Sequence, residues 1–344
     1  MKHILVIRLS AMGDAAMTVP VIRALLQQHS NIKITVVSRP FFKPFFDDID
    51  RVDFFGVDLE NRHKGFLGIY RLYKDLKKLE IDYVADFHNV LRSKILRSYF
   101  KIIGTPTTFT NKGRSEKKAL TKLEKKVLKP VKSMINRHVD TLAQLGFTVG
   151  LSKINFPEKS VLSDEILAVT NEKSDDNWIG IAPFAQYQTK VYPLDLMKET
   201  VKLLAKNPKN KLFLFGGGEE EILKLNMLQQ NLSNVMVVAG KLKFTQELSL
   251  IQHLNVMLSM DSGNGHIAAM YGVSVVTLWG NTHPFAGFVP FNQPLENSLI
   301  PDLEKYPFLP TSVYGNKIVT GYQDVMQSIT SEEVVAKIST NLYE

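Results

Sequence analysis

The chain has 344 residues, of which 44% are apolar and 22% charged, with no cysteine and a formal net charge of +8. That length exceeds what a single hydrophobic core usually serves, so two domains are expected, and the apolar content excludes a disordered chain. The absence of thiols excludes disulfides and cysteine metal sites and fits a reducing compartment.

The opening MKHILVIRLS breaks its apolar run at Arg8, too early for a signal-peptide core. No run of about 18 apolar residues follows, so a cytoplasmic protein is expected, at most peripheral on the inner face of a membrane. Ile4–Ile7 and Ile32–Val37 read as buried strands, with an amphipathic helix near 19–28 between them. The turn after the first strand, RLSAMGDAAMTVP, holds one glycine, Gly13, and then Asp14, where many α/β turns are glycine-rich and cradle phosphate. From the residues alone, Asp14 is either a helix cap or a proton acceptor. RPFFKPFF, residues 39–46, reads as a helix entry facing the core or as an apolar lip.

Further on, Phe66, Ile69, Leu72, Leu76 and Leu79 recur at helical spacing, and 83–87 reads as a strand. Between Lys112 and Lys132 stand nine Lys or Arg and two acids, either a solvated face or a patch for anionic lipid or sugar phosphate. No interleaved aromatics or nucleic-acid motif accompany it, so nucleic acid is not an expected partner. Residues 136–145 look helical and stop at Gly146. Residues 150–177 turn polar and irregular and read as a linker.

The pattern then restarts with five strand-like runs, at 178–182 and within KLFLFGGG, NVMVVAG, LNVMLSM and VSVVTLWG. SEEVVAKISTNL closes the chain as a helix with Ser331 read as its N-cap. Strands alternating with helices predict parallel sheets covered by helices, in two doubly wound domains facing across a cleft. The divisions expected are 1–160, 161–325 and a terminal helix over 326–344, for which a return onto the N-terminal domain is open.

The stretch SMDSGNGHIAAMYGVSVVTLWG is the most informative. A strand ends near Met260, and Asp261, Ser262, Gly263 and His266 open a helix whose free N–H groups suit a diphosphate. Its bland reading is a capped helix with a packed histidine. This block resembles the DSG-x-x-H-x-A-A motif of glycosyltransferase family 9, the ADP-heptose:lipopolysaccharide heptosyltransferases. IRLSAMGDAAMTVP, DFHNVLRS, PFAQYQTKVYP, LFGGGEEE and VAGKLKFTQELSLI resemble the family's other landmarks, in order along nearly the whole chain. The chain departs from the family pattern at Met17, at Asn264-Gly265 and in Lys190-Val191-Tyr192-Pro193.

The resemblance implies a GT-B fold and an inverting, metal-independent transfer of a heptose or related sugar from an ADP-sugar to a lipopolysaccharide or lipooligosaccharide acceptor. It implies Asp14 as general base and Lys190 as the positive group on the leaving diphosphate. For donor binding it implies Gly13, Gly217, Glu220, Gly240, Lys241, Asp261, Ser262, Gly263 and His266. Arg8, Ser10, Asn89 and Arg92 are the implied contacts to an anionic glycolipid acceptor. No cofactor is expected, and the implied partners are the nucleotide-sugar, the glycolipid and the membrane surface. Three other readings stay open: a different nucleotide-sugar donor, an epimerase on the same architecture, and a non-catalytic binder.

Overall fold

The computed structural model describes residues 1–343. The chain divides into two units. One comprises residues 1–114 with 132–157, the other residues 115–131 with those from 158 onward.

The first unit runs β1 (Lys2–Ile7), α1 (Met12–Ala16), α2 (Thr18–Gln28), β2 (Ile32–Ser38), β3 (Val52–Gly56), α3 (Gly65–Lys77), β4 (Tyr83–Asp86), α4 (Leu91–Ile102) and β5 (Thr107–Phe109). The chain leaves it through α5 (Arg114–Leu120) and returns as α6 (Met134–Ala143). Its sheet is parallel, in the order β3-β2-β1-β4-β5. β1 is central, so Ile4, Leu5, Val6 and Ile7 are fully buried, which explains the unbroken apolar run. Burying each such side chain stabilises the fold by about 1.5–3 kcal/mol. In α3, Ile69, Leu72 and Leu76 are buried as the spacing predicts, but Phe66, in the first turn, stays 71% exposed. The 39–46 segment forms a 3-10 helix over Pro40–Phe45; of its four phenylalanines Phe42, Phe45 and Phe46 are buried and Phe41 is exposed.

The second unit runs α7 (Asp164–Thr170), β6 (Asn177–Ala182), α8 (Leu194–Ala205), β7 (Asn210–Leu214), α9 (Glu219–Gln229), β8 (Val235–Val237), α10 (Phe244–Ile251), β9 (Val256–Met260), α11 (Gly263–Met270), β10 (Ser274–Leu278), β11 (Ser298–Leu299) and α12 (Ser331–Tyr343). Its sheet, also parallel, has the order β11-β10-β9-β6-β7-β8.

Four details refine or correct the sequence reading. The polar linker contains α7, anchored by buried Ile166 and Thr170. Residues 115–131, most of the basic stretch, pack with the second unit although they fall inside the first expected domain. The terminal helix belongs to the second unit: α12 packs on α8, β9 and β10, with Val334 and Ile338 wholly buried in the second core. Its cap is Thr330, not Ser331. The Thr330 N–H donates to Glu333 Oε2 (2.7 Å) and the Glu333 N–H to Thr330 Oγ1 (3.2 Å), a reciprocal capping box, while the Ser331 hydroxyl donates to Leu196 O.

Each strand order reverses once. In the first sheet the chain winds outward from β1 one way and from β4 the other, and in the second from β6 and from β9. Open parallel sheets bind ligands outside the carboxyl ends of the strands at such a reversal. The loops to inspect are therefore those after β1 and β4 in one unit, and after β6 and β9 in the other.

Candidate active site

The loops after β1 and β4 bring Arg8, Ser10, Gly13, Asp14, His88, Asn89 and Arg92 to the first reversal. Arg8 is buried: its Nη1 donates to Phe87 O (2.8 Å), and its other terminal nitrogen pairs with Asp14 Oδ2. The Asp14 side chain keeps 31% of its surface against 4% for Arg8, so the acid is the member presented to solvent. Asp14 also accepts the Ala11 N–H at 3.4 Å, so the cap and the exposed carboxylate are the same group. Gly13 lies in α1 directly before it, so it belongs to this turn and not to the second unit's loops.

Ser10 Oγ stands 3.4 Å from His88 Nε2. Burial, reinforced by Arg8, pushes the His88 imidazole down to about 3, so it is neutral near pH 7. Lys112 is half-buried beside the same group, and its ammonium is lowered first by desolvation and then by Arg8. Arg92 is half-buried and adds to the positive field on His88. Asn89 is held differently. It sits at φ +46°, and its amide donates to Thr110 O (2.9 Å) and accepts from Arg97 (3.3 Å). Beneath it Asp86, fully buried, accepts the N–H groups of His88 and Asn89 and an Arg97 Nη1 hydrogen. Desolvation pushes the Asp86 carboxyl up against these bonds. Within the unit, Asn89 is thus part of the brace that shapes the loop.

At the second reversal Lys190, after β6, meets Asp261, after β9. Lys190 Nζ donates to Asp261 O (2.6 Å) and lies 3.3 Å from Asp261 Oδ2. Both side chains are close to nine-tenths covered, at 12% and 10% exposure. The stem of Lys190 is backed by Gly315, at φ +82°, where an added Cβ would lie 2.7 Å from Lys190 Cγ. The preceding Thr189 donates its hydroxyl to Gly315 O, and its carbonyl accepts the Asn281 N–H (3.0 Å). At Gly280 a Cβ would fall 2.0 Å from Thr189 O. Two distant loops, 280–282 and 311–315, therefore set where this lysine stands.

Ser262 is the N-cap residue of α11, but its hydroxyl bonds Ser259 Oγ (3.2 Å) and makes no cap bond. The Ser259 hydroxyl in turn accepts the Gly265 N–H (3.1 Å). Gly263 begins the helix, and His266 lies in its first turn, 8% exposed. The N-terminal amides of α11 thus open beside Asp261 and Lys190, a place where an anion is favoured. Met17, one of the departures from the family pattern, is buried at the C-terminal end of α1.

Glu220 borders a cavity of about 250 Å³ walled by Phe184, Val191, Leu194 and Glu221. Glu221 folds back to accept the Gly217 N–H (2.8 Å), whereas Glu220 points outward, 84% exposed, and pairs with Lys224 (2.6 Å). Gly240, at φ +74°, abuts Ile222, and Lys241 is exposed.

A family model described as glycosyltransferase family 9 (heptosyltransferase) matches residues 69–309. The chain belongs to glycosyltransferase family 9. It is 21% identical over 295 residues to the lipopolysaccharide core heptosyltransferase OpsX of Haemophilus influenzae, covering 82% of this chain and 80% of that relative. Three solved structures share the fold. A family 9 glycosyltransferase from Veillonella parvula has a TM-score of 0.73 at 17% identity, covering 99% of this chain and 97% of the other. For E. coli heptosyltransferase WaaC with ADP the values are 0.69 and 17%, with 98% and 99% covered. For E. coli ADP-heptose LPS heptosyltransferase II they are 0.67 and 19%, with 99% and 98% covered.

This family 9 glycosyltransferase therefore has the α/β fold with two parallel sheets found in the GT-B heptosyltransferases. The sequence reading missed His88, Lys112 and Gly315. A histidine directly after a buried strand was visible in DFHN, but Lys112 was submerged in a long basic run, and nothing local marks Gly315 as a support for Lys190.

Proposed function

We propose that the enzyme transfers a heptosyl or closely related sugar from an ADP-sugar to a lipopolysaccharide-type acceptor, with inversion and without a metal. The acceptor hydroxyl gives its proton to Asp14 while its oxygen attacks the anomeric carbon. The bond from that carbon to the diphosphate oxygen breaks, and its electron pair leaves with ADP. Lys190 and the first amides of α11 stabilise the charge gathering on the diphosphate. In-line displacement of this kind inverts the anomeric centre.

The observation that carries the reading is Asp14, an acid presented at a sheet reversal and backed by a buried arginine. A carboxylate there discourages phosphate and suits a proton acceptor, whereas the second unit supplies the cation and the helix start. Asp261, Ser262, Gly263 and His266 belong to this donor side, Glu220 borders the cavity we assign to the nucleoside, and we assign Gly217, Gly240 and Lys241 to the same donor. Arg8, Ser10, Asn89 and Arg92 belong to the acceptor side, where Arg92 and Lys112 supply charge for anionic groups. The net charge of +8 fits work at the cytoplasmic face of an anionic membrane.

Incubating the enzyme with ADP-heptose and a heptose-deficient lipopolysaccharide acceptor should release ADP, and UDP- and GDP-sugars should not replace the donor. Turnover with no ADP-sugar, or turnover that survives Asp14→Ala unchanged, overturns the proposal.

A further inference from the structure

Residues 115–131 are pinned to the second unit at several points. The Lys117 ammonium lies 3.8 Å from the centroid of the Phe288 ring. The Val131 N–H donates to Phe285 O (2.9 Å), and within the segment the Val127 N–H donates to Ala119 O (3.2 Å). Lys126 turns inward, and its Nζ donates to the carbonyls of Phe308 and Pro310.

What these anchors leave outside is unusual. Lys122, Lys125 and Lys129 are exposed, as a solvated loop requires. Beside them Leu123, Val127 and Leu128 are 46%, 48% and 41% exposed. One lysine of the loop is thus drawn in while three aliphatic side chains stay out among its neighbours. Leaving such side chains in water forfeits their burial, so their clustering marks a contact surface.

The charge selects the partner. Five lysines against one acid between residues 122 and 132 would repel a second copy of the same loop. The loop holds no aromatic residue on which a nucleic-acid base could stack. Aliphatic side chains ringed by lysines match the boundary between headgroups and acyl chains in an anionic bilayer. We propose that the loop 122–129 docks on an anionic bilayer, Leu123, Val127 and Leu128 entering the acyl boundary while Lys122, Lys125 and Lys129 engage headgroup phosphates. This deepens the membrane part of the reading above and rests on it for its biological purpose, but its test does not depend on turnover.

The full-length protein is sedimented with phosphatidylglycerol or phosphatidylcholine vesicles. The wild type should bind the former and not the latter. Lys122→Glu with Lys125→Glu and Lys129→Glu should weaken binding on the order of a hundredfold. Leu123→Ser with Val127→Ser and Leu128→Ser should weaken it about tenfold without changing the salt dependence. Val161→Ser, at an exposed aliphatic residue elsewhere, should change nothing. Unfolding midpoints show that each variant is folded, and Val127→Trp gives a second readout, a blue-shifted emission on phosphatidylglycerol. No binding by the wild type, equal binding by both triple variants, or a dimer lost in the serine variant overturns the proposal. Turnover on a delipidated, water-soluble acceptor separates the two readings. If turnover persists in variants that no longer bind vesicles, docking and catalysis are distinct, and if turnover is absent from the wild type while binding maps to the loop, only the enzymatic reading falls.

Discussion

The turns at the two sheet reversals are chemical opposites. In the first unit a buried arginine supports an acid that faces solvent, and in the second an acid holds a lysine that is nearly covered. Both are ion pairs at the carboxyl ends of parallel strands, so topology alone does not distinguish them. What distinguishes them is that the first pair presents its acid while the second is covered on both sides, and what surrounds each. Asp14 stands among Arg8, Lys112 and a neutral His88. Lys190 stands where α11 opens. On the proposed reading the first arrangement accepts a proton and the second receives a leaving anion.

That contrast is broken most severely by removing the acid. Asp14→Ala should lower kcat about 10³-fold in an ADP-release assay, because it deletes the proposed proton acceptor. Lys190→Ala should cost about 3 kcal/mol of transition-state stabilisation, read as kcat/KM. Arg8→Lys keeps the charge but cannot bridge Asp14 and Phe87 O together. Turnover should fall about tenfold, with His88→Gln leaving the pH profile above pH 5 unchanged because the imidazole is already neutral there. Gly315→Ala should lower turnover several-fold and destabilise the protein by about 1 kcal/mol, since the new methyl meets the Lys190 stem at a positive φ.

A smaller effect, on stability alone, comes from Glu247 in α10, whose carboxyl burial pushes up to about 7. The folded state then holds a proton that the unfolded state releases near the ordinary glutamate value. Stability should fall as pH rises through roughly 4.5 to 7, by at most about 3 kcal/mol. Glu247→Gln should abolish that slope in denaturant titrations at pH 5 and pH 8.

Much of this was legible from the residues. Strands covered on both faces read as unbroken apolar runs, and so β1, β6, β9 and β10 were found. Asp14 and the Asp261–His266 loop stood out because an acid or a glycine cluster at a strand end is a local signal. Side-chain partners were not legible, since Arg8 meets Asp14 through a guanidinium shared with Phe87, and Lys190 meets Asp261 from 71 residues away. The same limit explains the terminal helix, whose apolar stripe gave no sign of which core would bury it. It also explains the basic run, where counting charge could not reveal that Lys126 turns inward while three aliphatic neighbours stay out.

The division of labour between the two turns is tested most directly by calorimetric titration of ADP into the wild type, Asp14→Ala and Lys190→Ala, paired with turnover of the same samples. The account predicts unchanged ADP affinity with lost turnover for Asp14→Ala, and weakened ADP affinity for Lys190→Ala. Loss of ADP binding in the first variant, with full binding in the second, would contradict it.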